Sequence, residues 1–230
     1  MIKAVVFDMF ETLITFFNSR VYKGKEIAAD LNIPEKVFRE IWNPSEDDRT
    51  LGNTSFEEVI AKIMTVNNIN DSELYDRIIY DRYNCSAEVF RHKHPDVIPM
   101  LKTLRENGIK TGLITNCYFE EKEAIINSDL YNLFDSICMS CEVKMKKPDI
   151  KIFELCAGKL NVRPDECLYV GDGGSHELEA AREAGMQPIQ ATWYLKDGLD
   201  QPCGILDGFD HASNPMDVVK AVQDLNSIHE

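Results

Sequence analysis

Residues 3–8 read KAVVFD, an apolar run rich in valine that stops at Asp8. A short run without polar alternation suits a strand buried on both faces of a parallel sheet. Four later stretches have the same character: 110–115 (KTGLIT), 134–139 (FDSICM), 167–170 (CLYV) and 188–191 (PIQA). Helical spacing occupies the intervals. In 97–107 the apolar residues fall at Val97, Ile98, Leu101 and Leu104, and the pattern ends at Gly108, the residue type that closes a helix most readily. Residues 149–160 and 177–184 read alike, the second stopping at Gly185, and 215–225 reads as a last amphipathic helix with a frayed tail. Strands alternating with helices predict an α/β fold, a parallel sheet covered by helices on both sides.

Between about 16 and 92 the pattern changes. Helix follows helix, over 38–41, 55–64 and 72–90, with no strand between them. Ser55 and Glu58 have the spacing of a capping box, preceded by an Asn53-Thr54 turn. The stretch 16–92 is therefore expected to be an all-helical insertion, leaving 1–15 and 93–230 as the core.

The chain has 230 residues, 44% of them hydrophobic, enough for a sizeable core. Its 39 acidic and 25 basic residues leave a formal charge of -14, which repels nucleic acid and anionic lipid, so neither is an expected partner. An anionic substrate would be repelled too, unless the site carries its own positive charge. No apolar stretch approaches the roughly 20 residues of a membrane span, and Met1 leads straight into the first strand without a signal-peptide pattern, so a cytoplasmic protein is expected. Seven scattered cysteines argue for reduced thiols. Cys138 and Cys141 form a lone CxxC without a second pair or a nearby histidine, and the expectation is a strand end rather than a zinc site. His92 and His94 read as surface or hinge residues, and Cys117 as an inert thiol. Composition leaves the oligomeric state open.

In doubly wound sheets ligands sit beyond the carboxyl ends of the strands. Asp8 follows the first strand, Thr115-Asn116 ends the second, and Asp172 follows the strand ending at Val170. A carboxylate in such a place can act as a nucleophile if nearby cations offset its charge. Asp172 and Glu177 flank Gly173-Gly174-Ser175-His176, a turn that lets both acids face one ion with Asp8 opposite, and hard oxygen donors favour Mg2+.

The set Phe7-Asp8-Met9-Phe10-Glu11-Thr12-Leu13, Thr115-Asn116, Lys147-Pro148 and Gly171-Asp172 with Glu177 resembles, in order and spacing, the four motifs of the haloacid dehalogenase (HAD) superfamily. The resemblance spans essentially the whole chain. It implies a HAD-like Rossmannoid core, and the helical stretch falls where members often carry a C1-type cap that selects substrate. It also implies a hydrolase acting on a small phosphorylated metabolite. Asp8 would be the nucleophile that forms an aspartyl phosphate, while Thr115 and Asn116 would hold the phosphoryl group and Lys147 would offset its charge. Asp8, the backbone carbonyl of Phe10, Asp172 and Glu177 would hold Mg2+.

One position departs from the pattern. Phosphatases of the superfamily place a second aspartate, the general acid and base, where this chain has Phe10; Glu11 is not expected to replace it, because neighbours in extended chain point to opposite sides. An aromatic there resembles the 2-haloacid dehalogenase branch, which works without metal but lacks the acidic pair kept here as Asp172 and Glu177. The alternatives are thus a metal-independent dehalogenase-like hydrolase and a weakly catalytic relative that binds phosphometabolites. Phe16, Phe17 and Tyr22 could line a pocket under the cap or form its core. Arg20 and Arg49 are candidates to meet a carboxylate on the substrate, and His176, inside the acidic loop, is expected to be exposed.

Overall fold

The computed structural model describes residues 1–230 apart from 18, 21, 196–203 and 228–230. Its six strands, β1 (Ala4–Phe7), β2 (Lys110–Thr115), β3 (Ser136–Met139), β4 (Cys167–Gly171), β5 (Gln187–Ala191) and β6 (Asp210–Ala212), form one parallel sheet in the order β3-β2-β1-β4-β5-β6. β1 is central, with Ala4–Phe7 paired to β2 on one side and to β4 on the other. Chain order reverses across this strand, so the carboxyl ends of β1, β2 and β4 meet at the crevice where α/β sheets bind ligands. β6 was not anticipated. Its three residues, Asp-His-Ala, bury only the alanine and carry neither an apolar run nor an alternation.

Alternation along β1 divides the core. Val5 and Phe7 pack with α6 (Val97–Glu106) and α11 (Pro215–Ser227) on one face of the sheet. Ala4 and Val6 pack with α9 (Ile150–Lys159) and α10 (Glu177–Glu183) on the other. Burial on both faces is why all four β1 residues are apolar. The expected tail beyond α11 falls on 228–230, outside the described residues.

From 24 to 89 the chain is helical, with α1 (Gly24–Asp30), α2 (Glu35–Trp42), α3 (Glu46–Thr50), α4 (Phe56–Val66) and α5 (Ser72–Val89). α1, α2, α4 and α5 share a cluster of their own that includes Ile27, Phe38, Phe56, Ile60, Ile63 and Ile78. The Ser55 capping box forms: Ser55 Oγ accepts from the Glu58 N–H at 3.2 Å, and Glu58 Oε2 accepts from the Ser55 N–H at 2.8 Å. Two contacts seat this block on α7 (Phe119–Ile126) and α8 (Ser140–Val143). Arg82 of α5 donates to Glu120 at 3.0 Å and Glu121 at 3.3 Å, all three buried. Gly52, with φ of 65°, lies so close to α8 that a Cβ would stand 2.0 Å from the Cys141 carbonyl oxygen. Among the described residues no helix is long and apolar enough to cross a membrane.

Candidate active site

Asp8 is the first residue beyond β1, and its N–H continues the ladder by donating to the Val170 carbonyl at 2.9 Å. That bond holds the Asp8 backbone against β4, whose extension delivers Asp172. Between Asp172 and Glu177 the chain passes through three left-handed residues, Gly173 (φ 95°), Ser175 (57°) and His176 (53°). The two without a glycine's freedom each cost about 1 kcal/mol or more, and what they achieve is a tight fold-back. The Gly173 N–H reaches Glu177 Oε1 at 3.3 Å, and the Gly174 N–H reaches Asp172 Oδ1 at 2.9 Å. Gly171 is required by the same geometry, since a Cβ there would meet Glu177 Oε1 at 2.1 Å.

Carboxylate oxygens of Asp8, Asp172 and Glu177 lie within 4.8 Å of one another, all buried. Lys147 Nζ donates to both Asp8 Oδ1 and Glu177 Oε2, and lies 3.3 Å from the Tyr169 hydroxyl. Burial pulls the lysine's pKa down, but the two carboxylates outweigh it and hold it above the usual range. For the acids, burial and the neighbouring Asp8 charge act together, raising Asp172 to about 6 and Glu177 to about 8. Three carboxylates against one ammonium leave a formal charge of -2 in a buried space. A divalent cation would cancel that charge, and an all-oxygen donor set suits Mg2+. The acidic group fits such an ion.

Asn116 uses its side chain on Lys147: Oδ1 accepts from the Lys147 N–H at 2.8 Å and Nδ2 donates to the Lys147 carbonyl at 3.0 Å. The bond pair fixes the backbone from which Lys147 projects, next to a cis Lys147-Pro148 peptide. Lys144 instead forms the left-handed end of α8. Thr115 Oγ1 is fully buried and has no hydrogen-bond partner among the described residues, a donor held in reserve at the end of β2.

A cavity of about 380 Å³ opens beside Asp8, bounded also by Phe10, Glu11, Phe16, Phe17 and Lys23. Phe10 stacks on Phe16 with centroids 5.0 Å apart, giving that wall an apolar surface. The reason for setting Glu11 aside does not hold: it is left-handed (φ 57°), not extended, and it borders the same cavity as Asp8. Its oxygens accept from Thr15 Oγ1 and from the Phe16 N–H, each at 2.8 Å, so it ties down the chain where it leaves the core. Burial raises its pKa against those two bonds.

Several contributors carry little sequence signal. Tyr169 donates to Glu177 Oε2 at 2.8 Å, and a tyrosine in a strand buried on both faces does need a partner for its hydroxyl, which is the one available hint. Thr12 Oγ1 approaches Asp8 Oδ2 at 3.3 Å. Gln190, from β5, donates to the Asp172 carbonyl at 2.8 Å. Of the aromatic candidates, Phe16 and Phe17 line the cavity while Tyr22 joins the core of the helical block. Arg20 is exposed and pairs with Asp81 at 3.7 Å, and His176 is exposed. Cys138 lies in β3, and the two CxxC thiols pair elsewhere, Cys141 with Cys117, whose sulfurs are 3.9 Å apart, and Cys138 with Cys156. The six described cysteines are buried and free.

A family profile described as haloacid dehalogenase-like hydrolase matches residues 2–185, most of the chain. The chain belongs to that family. A glyceraldehyde 3-phosphate phosphatase of Methanocaldococcus jannaschii is 25% identical over 197 residues, 83% of this chain and 85% of its own length. The Methanopyrus kandleri protein of the same name is 34% identical over 109 residues, and that match spans only 47% of either chain. A phosphoglycolate phosphatase of Salmonella choleraesuis is 30% identical over 139 residues, 58% of this chain and 55% of its own. Two solved structures share the fold. A 2-haloacid dehalogenase from Pseudomonas syringae superposes with a TM-score of 0.71 at 19% identity, covering 98% of this chain and 100% of its own. A HAD phosphatase from Thermococcus onnurineus gives 0.62 at 22% identity, over 96% and 98%.

Proposed function

We propose that this HAD-family hydrolase is a magnesium-dependent phosphatase of small phosphorylated metabolites, working through an aspartyl phosphate on Asp8. The observation that carries it is the buried trio of Asp8, Asp172 and Glu177, gathered beyond β1 and β4 and closed by Lys147. Mg2+ would be held by the three carboxylates and the Phe10 carbonyl, and would supply charge neutralisation at the phosphoryl oxygens. An Asp8 oxygen attacks phosphorus in line, the bond to the leaving oxygen breaks, and that oxygen takes a proton from solvent. Water then attacks the aspartyl phosphate and releases orthophosphate, returning Asp8. Lys147 offsets the charge that builds on the transferring group, and Thr115 Oγ1 with the backbone N–H groups of 115 and 116 donates to its oxygens. Phe10 provides no proton, so esters with good leaving groups should be the faster substrates.

The helical stretch 16–92 acts in this reading as a cap over the 1–15 and 93–230 core, and Arg82 with Glu120 and Glu121 is its clasp. Relatives named as phosphatases of glyceraldehyde 3-phosphate and phosphoglycolate support a two- or three-carbon phosphate ester as substrate. This reading takes the enzyme as cytoplasmic, and its formal charge of -14 disfavours nucleic acid and anionic lipid as partners.

The test is hydrolysis of an aryl phosphate by the purified chain with Mg2+, with EDTA, and by the folded Asp8→Asn variant. Turnover that requires both Mg2+ and Asp8 is expected. Phe10 favours one second reading, attack by Asp8 on carbon with loss of halide, and turnover of a 2-haloacid that survives EDTA would replace the first reading with it.

A further inference from the structure

β2 and β3 run in register with Thr115 opposite Met139, and carrying that pairing two residues further sets Cys117 against Cys141. Adjacent strands lie about 4.8 Å apart, within the Cα separations of about 4.4–6.8 Å that disulfides bridge. Bonds beyond the strand ends keep the two segments together. The Cys117 N–H donates to Ser140 Oγ at 2.9 Å, and Ser140 Oγ donates to the Cys117 carbonyl at 3.2 Å. The two sulfurs then meet at 3.9 Å, one thiol donating to the other. Closing that gap to the roughly 2.05 Å of a disulfide asks for about 2 Å of movement, shared between two side chains. The sequence alone marks Cys117 as inert; the fold gives it a partner.

The pair sits where two parts of the candidate site are joined. Cys117 directly follows Asn116, whose side chain makes both bonds that hold the Lys147 backbone, and Cys141 lies in α8, on the segment that runs to Lys147. It also lies at the seat of the helical block: Gly52 packs against the Cys141 carbonyl, and Glu120 and Glu121, the partners of Arg82, follow shortly after Cys117. With exposures of 1% and 2%, the thiols are closed to bulky disulfides and open only to an oxidant close to water in size, admitted as that seat opens. The hydrogen bond from Cys117 pulls the Cys141 thiol below its ordinary range, while the same bond, with burial, holds Cys117 well above it, so Cys141 is the nucleophile of the two.

We propose that Cys117 and Cys141 form a reversible disulfide that slows the hydrolytic site when the protein meets hydrogen peroxide. The Cys141 sulfur attacks one peroxide oxygen, the O–O bond breaks, and the departing oxygen takes the thiol proton and leaves as water, making Cys141 a sulfenic acid. The Cys117 sulfur then attacks the Cys141 sulfur, the S–O bond breaks, and its hydroxyl leaves with the Cys117 proton as a second water. Two thiols give up two electrons, and one peroxide becomes two waters. The new bond draws the end of β2 toward α8 and takes Asn116 with it, and a displacement of about 1 Å in a site of this kind costs about 100-fold in rate. The loss of turnover rests on the phosphatase reading, whereas the disulfide does not.

The test treats the reduced full chain with hydrogen peroxide, maps its disulfides by mass spectrometry of unreduced peptides, and follows aryl phosphate turnover with Mg2+. A Cys117–Cys141 linkage should form ahead of any other, Cys203, outside the described residues, included. Turnover should fall at least about 10-fold in step with it and return with dithiothreitol, and Cys141→Ala should keep its turnover through the same treatment. A different linkage forming first, a Cys117–Cys141 bond without loss of turnover, or a loss that persists in Cys141→Ala overturns the proposal. Should Cys141→Ala fail to fold, Cys117→Ala carries the same comparison. Should the reduced chain hydrolyse nothing, the phosphatase reading fails by itself and amide hydrogen exchange decides instead: a disulfide that alters exchange at 115–117 and 147 supports the proposal, while unaltered exchange, or no such linkage, overturns it.

Discussion

Replacing Arg82 by methionine keeps the bulk of the side chain and removes its charge, leaving Glu120 and Glu121 in a buried interface without the cation that hydrogen-bonds them. Even with Arg82 in place, burial raises Glu121 to about 7 from its ordinary 4.5, so the ionised form is already disfavoured there. Breaking a buried pair from one side costs about 3–5 kcal/mol, so the variant should lose that much near pH 8. The pH dependence has a definite sign. A carboxyl whose folded pKa lies above its unfolded value binds more protons in the native state, so stability rises as pH falls through the folded pKa toward the unfolded one. The cost of Arg82→Met should therefore shrink by half or more at about pH 5.5, where the abandoned carboxyls protonate. Urea unfolding followed by fluorescence reads both ends of the contact, because Trp42 lies in the helical block and Trp193 packs against the core. A cost below about 1 kcal/mol near pH 8, or one that does not change with pH, would refute the view of this contact as a charged clasp.

Gly171→Ala places a Cβ on the Glu177 carboxyl and should lower kcat for an aryl phosphate about 100-fold, with a stability loss of about 1–3 kcal/mol; an unchanged kcat would mean that Glu177 can move without consequence. In the proposed site, binding of Mg2+ would require Asp172 and Glu177 to release protons that burial and crowding hold up to about 6 and about 8, so apparent affinity should weaken at least about 10-fold from pH 8 to pH 6. A thermal-shift titration with Mg2+ at the two pH values measures this, and an upshift equal at both would count against the acidic trio as the binding group.

Much of the fold was legible because its signals are local. Apolar runs marked five strands, and Ser55 with Glu58 marked a helix start within four residues. β6 went unread because an edge strand of three residues leaves almost no pattern. Asp8, Thr115, Asn116, Asp172 and, across a short turn, Glu177 could be picked out because parallel strands deliver their last residues to one edge, so chain order translates into spatial neighbourhood, whereas Lys147 was legible only through the family resemblance.

What the sequence by itself determined was the alternation that builds the sheet and the ordered acids at its strand ends. Only the tertiary structure decided how the remaining charges are partnered. Arg82 finds Glu120 across 38 positions, Gln190 reaches back to the Asp172 carbonyl, and Arg49 comes to rest between a ring of the helical block and a ring of the core with its edge unsatisfied. The extended backbone assumed at Glu11 failed for the same reason: its left-handed conformation and its bonds to Thr15 and Phe16 depend on where the departing chain is held. Hydrophobic periodicity records burial residue by residue, whereas a hydrogen bond or ion pair depends on two groups converging, and that convergence is set by packing.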